Sequence, residues 1–209
     1  MRRTLIALIC ALPGFVLAQL APEPALKALR AQAMPGTEPL IAEMAVNTNT
    51  AMPVAAIVRT SADSVALLVA AEARPGVFEI VARSRPFTVP LTSNYGTSIE
   101  LFRFNAPDRL ELALSSRSGC ARGSVTHRFA FRQGTWAVTG LDVETLRCTD
   151  SGVEPDWNES ANYISGKAVR TVFGRSGASK SVRSSSARKA FPLSEFPPKG
   201  PETAYAELQ

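Results

Sequence analysis

Cys120 and Cys148 bracket the stretch CARGSVTHRFAFRQGTWAVTGLDVETLRC, and no other part of the chain is so tightly constrained. Val125, His127, Phe129 and Phe131 alternate with Thr126, Arg128, Ala130 and Arg132, the period-two pattern of a half-buried strand. Gln133-Gly134-Thr135 reads as a short loop with a glycine available for positive φ, and Trp136 opens a second β-rich run. With those residues as the loop, Phe131 faces Ala137, Phe129 faces Thr139, His127 faces Leu141 and Val125 faces Val143. The opposite face pairs Arg132 with Trp136, Arg128 with Gly140, Thr126 with Asp142 and Ser124 with Glu144. The same register sets Cys120 opposite Cys148, although the cysteines play no part in choosing it. A slip of one residue would mix the polar and apolar faces and separate the thiols.

The cysteines also speak to the compartment. Met1-Arg2-Arg3 is a basic start, Thr4 to Leu17 an apolar run, and Val16-Leu17-Ala18 offers small residues for cleavage. This is the pattern of a secretory signal peptide, residues 1–18, cut after Ala18. Cys10 leaves with it, and Leu8-Ile9 lacks the small residue that a lipidation site needs. An even pair, Cys120 and Cys148, then remains in an oxidising periplasmic or extracellular setting, which favours a disulfide. Closing a loop of that size stabilises a fold by about 3–4 kcal/mol in the chain-entropy model.

After Ala18 the sequence divides by composition. Residues 19–38 read as a linker or short helix, with Leu26, Leu29 and Ala33 spaced along one face between Pro22 and Met34. Residues 39–173 carry short β-patterns near Leu40–Val46, Val54–Arg59, Ser64–Ala71, Gly76–Arg83, Ser98–Phe104 and Arg109–Ser115. The hairpin follows, and further strands lie near Ala161–Ile164 and Ala168–Phe173. The alanine-rich run from Ala66 to Ala73 is equally compatible with a helix. Turns such as Ala73-Arg74-Pro75-Gly76 and Asn105-Ala106-Pro107-Asp108 separate the strands. Many short strands at short spacing predict a mainly β fold. It would be an antiparallel sandwich or twisted meander with a short N-terminal helix and a disulfide-closed hairpin. Residues 174–209 form a basic Ser/Pro-rich tail that cannot bury enough surface to fold alone, although Ala190-Phe191-Pro192-Leu193 could dock as an edge strand. The formal charge of +5 belongs to this end: residues 19–166 hold thirteen basic and fifteen acidic side chains, and residues 167–209 eight and three.

Three segments in order resemble a group of uncharacterised exported bacterial β-rich proteins. Met44-Ala45-Val46-Asn47-Thr48-Asn49 running into Val54–Val58 looks like an FG-GAP-type strand and loop. Phe129-Ala130-Phe131 with Trp136-Ala137-Val138-Thr139-Gly140 is similar to the group's paired strands. Ser160-Ala161-Asn162-Tyr163-Ile164-Ser165-Gly166-Lys167 resembles its S-x-N-Y-x-x-G-K segment. In the acidic loop only Asn47 and Asn49 stand at ligand positions. Ala51 and Ala55 replace carboxylates and Met52 the glycine, so the loop lacks the oxygens that calcium requires. The resemblance implies an exported β-rich domain and carries no activity with it.

Catalytic chemistry finds little support. His127 is the single histidine and shares the apolar hairpin face, so it reads as a core imidazole, and no set of zinc ligands accompanies it. There is no G-x-S-x-G elbow, and Ser186-Ala187-Arg188-Lys189 matches S-x-x-K without the companion motifs. Neither a metal nor another cofactor is implied. A polar surface site is suggested by Arg128 and Arg132 with Asp142 and Glu144, and a basic contact by Lys180, Arg183, Arg188 and Lys189. The tail suits a polyanionic envelope component better than nucleic acid, because no aromatic residues interleave with its charges before Phe191. The favoured function is a non-enzymatic binding or inhibitor/immunity-type module of the cell envelope. The alternative is a hydrolase using the acidic residues between 142 and 159, of which Asp150, Glu154, Asp156 and Glu159 would crowd a solvated loop. For the pairing of Cys120 with Cys148, the intact mass of the mature protein should lie two hydrogen masses below that of the reduced chain. An unchanged mass on reduction would mean free thiols.

Overall fold

The computed structural model describes residues 21–45, 52–88, 96–174, 178–186 and 188–197. The signal segment and Asn47, Asn49 and Ala51 of the FG-GAP-like loop lie outside the described residues. Helix α1, Glu23–Arg30, is followed by four strands: β1 (Ile41–Met44), β2 (Val54–Arg59), β3 (Val65–Arg74) and β4 (Val77–Arg83). These pair antiparallel in chain order as one sheet. A larger antiparallel sheet contains β5 (Gly96–Ala106), β6 (Arg109–Ser118), β7 (Ala121–Arg132), β8 (Thr135–Thr149), β9 (Gly152–Asn162), β10 (Lys167–Phe173) and β11 (Ser179–Ser185), again in chain order. A two-residue strand, β12 (Phe191–Pro192), pairs with the start of β8, and a single 3₁₀ turn follows it at Leu193–Glu195.

The two sheets pack face to face. Ala55, Ile57, Val65, Leu67 and Val69 from the small sheet meet Phe102, Leu110, Leu112, Leu114, Phe129, Trp136 and Val138 from the large one in a single buried cluster. The alternate positions of β2 and β3, Val54, Ala56, Val58, Leu68 and Ala70, point the other way and are sealed by Ala25 and Leu29 of α1. Burial on both faces explains why these strands read as unbroken apolar runs. It also resolves the ambiguity of the alanine-rich stretch, which is strand β3, with small side chains where the helix lies close. The architecture is therefore an antiparallel sandwich with one helix on its outer side.

The hairpin shows the expected outer register, with Arg122 facing Leu146, Val125 facing Val143, His127 facing Leu141 and Arg128 facing Gly140. Its tip differs. Gln133 and Gly134, with φ of 51° and 79°, form a two-residue turn, and Thr135 pairs with Arg132. Successive positive φ values match the right-handed twist of the flanking strands, which a three-residue loop would not require. Phe129 consequently faces Val138, and Phe131 faces Trp136. A bulge at Thr139 restores the register toward the cysteines. Cys120 sits in the β6–β7 turn after Gly119, and its disulfide to Cys148, with Cα atoms 5.6 Å apart, ties that turn to the end of β8.

Two segments depart from the sequence reading. The acidic stretch expected as a solvated loop is strand β9, whose carboxylates are met by arginines of the neighbouring strands. The stretch expected as a tail supplies β11, β12 and the 3₁₀ turn. Leu193 and Phe196 are fully buried, and Phe196 packs edge-on against Phe87, His127 and Phe129 at centroid distances of 5.5, 4.7 and 5.3 Å. The backbone N–H of Arg85 donates to the Phe196 carbonyl at 2.7 Å, fixing this turn across the seam between β4 and β8. On the other side β1 lies against β5. Phe196→Ala should therefore lower the unfolding free energy by about 3–5 kcal/mol, read from urea denaturation. A change within about 0.5 kcal/mol would mean that the segment does not belong to the core.

Candidate functional site

The outer face of the large sheet is polar, because its inner face takes the apolar residues. Strand register arranges this face in rows. Ser98, Ser115, Ser124, Glu144, Asn158, Thr171 and Ser181 are successive cross-strand neighbours from β5 to β11. Hydroxyls pair across two of these steps, Ser98 with Ser115 and Thr171 with Ser181, each at 2.8 Å. A second row runs Arg103, Glu111, Arg128, Gly140, Asn162 and Lys167.

Arg128 organises the centre of this face. Its guanidinium donates from Nη2 to the Ala161 carbonyl at 2.8 Å and lies 3.3 Å from Asp142 through Nη1. It reaches β9 by passing over Gly140. A Cβ there would stand 2.7 Å from Arg128 Nη2 and 2.7 Å from the Ala161 carbonyl oxygen. The glycine is thus required by the Ala161 carbonyl pressed against it, and its lack of a side chain also leaves room for the arginine lying across it. Next to it the Thr139 bulge separates β8 locally from its neighbours. Thr139 Oγ1 donates to the Arg128 carbonyl at 3.2 Å, and the Tyr163 N–H donates to the Thr139 carbonyl at 2.9 Å.

Between this arginine and the hairpin tip lies an open depression of about 730 Å³. Arg109, Arg128 and Arg132 line it, together with Asp108, Glu111, Asn105, Gln133 and Asn162, over the small residue Ala130. Arg109 faces Ala130 across the β6–β7 ladder, and Arg132 stands two residues further along β7. Glu111 is held by Arg103 at 3.2 Å, and Arg128 by Asp142. Among the described residues Arg109 and Arg132 have no carboxylate partner. Ile164, 51% accessible, belongs to the same lining, whereas the Phe131 ring turns to the other face of the sheet against Trp136.

The expected polar set is therefore split. Arg128 and Asp142 form an ion pair, and Arg132 belongs to the basic depression. Glu144 lies beyond Asp142, where a second depression of about 400 Å³ is lined by Ser124, Thr126, Asp142, Glu144, Asn158, Glu159 and Ser160. Of its carboxylates Asp142 is paired with Arg128, and Glu159 with Arg170 at 2.8 Å. The remaining acids of β9 are also engaged: Arg147 meets Asp156 at 3.0 Å and Glu154 at 3.8 Å, and donates to the Phe173 carbonyl at 2.8 Å.

The four basic residues proposed for the tail do not share one surface. In β11 Lys180 faces Val172 and Arg183 faces Val169, residues three apart that point to opposite faces of the sheet. Lys189 is exposed, and Arg188 is half-buried close enough to His127 to repel its protonated form. The Ser186 hydroxyl donates to the Arg188 carbonyl at 3.1 Å, so the S-x-x-K serine closes a local turn.

His127 is buried between the sheets against Phe196, and its Nε2 has no hydrogen-bond partner among the described residues. Burial and, secondarily, the Arg188 charge lower its pKa from 6.5 to about 3. No group of three or more potential metal ligands exists among the described residues. None of the described helices is long and apolar enough to cross a membrane.

Sequence reasoning placed Arg128, Arg132, Asp142 and Glu144 on one hairpin face but missed Arg103, Arg109 and Glu111. Their signal was present, since Arg109 and Glu111 alternate with Leu110 and Leu112, but the β6–β7 register that brings them to Arg128 was not read. Comparison with known proteins adds no relative: no family model, curated protein or solved structure matches the chain.

The depressed histidine sets a pH dependence with a definite sign. Between pH 6.5 and 3 the unfolded chain binds the proton that native His127 refuses, so this group stabilises the fold less as pH falls through that window. His127→Leu should flatten the acid limb of the stability curve relative to wild type. The expected difference grows to about 4–5 kcal/mol by pH 3, at about 1.4 kcal/mol per pKa unit. Parallel curves for the two proteins between pH 7 and 3 would show that His127 is solvated.

Proposed function

We propose that the chain is an exported, non-enzymatic binding module of the cell envelope that presents the outer face of its large sheet to a partner. The observation that carries this reading is the depression around Ala130. The neighbouring charges are arranged in pairs, yet among the described residues Arg109 and Arg132 stand exposed without a carboxylate partner, as groups able to take an anion do. Export rests on the pattern of residues 1–18 and accords with a disulfide exposed on the surface. The partner is a protein or a polyanionic envelope component, which fits an inhibitor or immunity-type role.

The hydrolase alternative draws on the second depression, which Asp142 and Glu144 line from the outer face, while the Glu159 side chain turns to the other face and meets Arg170. Acid/base catalysis by a carboxylate pair needs one group protonated and its neighbour ionised. Asp142 is engaged by Arg128, and Glu159 is engaged by Arg170, which leaves Glu144 without a free carboxylate partner among the described residues. The geometry favours binding.

Envelope extract passed over immobilised mature protein, residues 19–209, tests the proposal. Wild type should enrich a component that a Ser124→Glu/Ala130→Glu variant, with two carboxylates added to its outer face, does not retain. Equal capture by both proteins, or by neither, would remove the outer face as the binding surface. A hydrolytic activity abolished by Glu144→Gln would transfer support to the carboxylate reading.

A further inference from the structure

We propose that the depression between Arg128 and the hairpin tip is a binding site for an acidic sugar, a glycan unit carrying a carboxylate or phosphate. The inference rests on the binding-module reading and deepens it by assigning the ligand class. Three features of the lining converge on this chemistry.

The first is charge. With Glu111 held by Arg103 and Arg128 by Asp142, the unpaired groups are Arg109 and Arg132 against Asp108. Two guanidiniums, one on each of two adjacent strands and diagonal to each other beside the small side chain of Ala130, can both reach one carboxylate or phosphate. The second is the mixture of polar and apolar surface. Ile164 exposes apolar area beside a depression that also holds Asn105, Gln133 and Asn162. A sugar ring has such a dual surface, with a C–H face to lay on an apolar side chain and hydroxyls for amides and for Asp108. A bare inorganic anion would leave Ile164 unused. The third is construction. The floor is low because Ala130 carries only a methyl group. Arg128 is locked across Gly140 by Asp142 and the Ala161 carbonyl, so one wall is preset rather than assembled on binding. The volume, about 730 Å³, lies within the range of small-molecule sites and accommodates one or two sugar units.

The test uses the full mature protein. Digalacturonate, glucose 1-phosphate, neutral digalactose and inorganic phosphate are each titrated by calorimetry, with arginine side-chain N–H resonances followed by NMR. Digalacturonate or glucose 1-phosphate should bind and shift the Arg109 and Arg132 signals, and which of the two binds identifies the anionic group. Neutral digalactose and inorganic phosphate should each bind at least about tenfold more weakly. Arg109→Gln and Arg132→Gln, both at exposed positions, should each weaken binding about tenfold, with circular dichroism unchanged. Gly140→Ala, which displaces the Arg128 wall, should weaken it as well.

Absence of binding by both acidic sugars at about 10 mM would overturn the proposal. Undiminished binding by the Arg109→Gln/Arg132→Gln double variant would do the same by placing the site elsewhere. Inorganic phosphate binding as tightly as the sugars would reduce the site to an anion cluster and overturn the sugar assignment. Retention of the same envelope component by the double variant would leave the binding-module reading intact and sink this site alone.

Discussion

Packing of Ile57, Leu67 and Val69 against Leu112, Phe129 and Val138 is the contact on which the rest of the molecule depends. Apolar area removed from water at this interface supplies the main favourable term for the fold, at about 25 cal/mol per Å². It also fixes which face of each sheet is left for other work. Strands β2 and β3 are buried on both sides, with α1 against one face and the large sheet against the other, while β4 exposes Val77 and Val81. The large sheet loses its inner face over β5–β8 and keeps its outer face in water. The polar rows from Ser98 to Ser181 and from Arg103 to Lys167 follow from that division. Chain ends complete it, with the Leu193–Phe196 segment filling the seam where β4 and β8 diverge.

The hairpin shows how far a period-two pattern can be read. Alternation of Val125, His127 and Phe129 with Thr126 and Arg128 determined the two faces, and the outer register followed, including the apposition of Cys120 and Cys148. The tip was misread because Gln133-Gly134-Thr135 satisfies a three-residue loop as readily as a two-residue one. The extra residue did not disappear; it moved to Thr139 as a bulge, so the two differences cancel beyond Gly140. Hydrophobic pattern reports faces, and a bulge changes the count of residues without changing the faces on either side of it.

Other parts were less legible for definite reasons. The run around Ala66 to Ala73 lacks alternation because both faces of β3 are buried, and a strand without alternation looks like a helix segment. The β9 stretch looked solvated because its acids are interspersed with polar residues. Its strand character depends on Arg147 and Arg170 in neighbouring strands and on Trp157, over whose ring the Arg170 guanidinium lies at 4.7 Å. The segment from 178 onward has too little apolar content to fold alone and needs an existing edge to pair with, which β10 provides. Half of the candidate site was visible for the same reason. Arg128 and Asp142 belong to one hairpin, whereas Arg109 and Asn162 arrive from strands whose register is set only by the assembled sheet.

Among the described residues strand β11 ends the large sheet, and all of its residues are exposed. A bare strand of this kind is a template for uncontrolled chain-to-chain growth. Its sequence, SKSVRSS, places Lys180 on one face and Arg183 on the other, so two such edges brought together would set like charges against each other from either side. Basic side chains on both faces of this edge oppose such pairing electrostatically. Residues that read as an adhesive tail in the string stand in the folded molecule as the charged margin of a sheet.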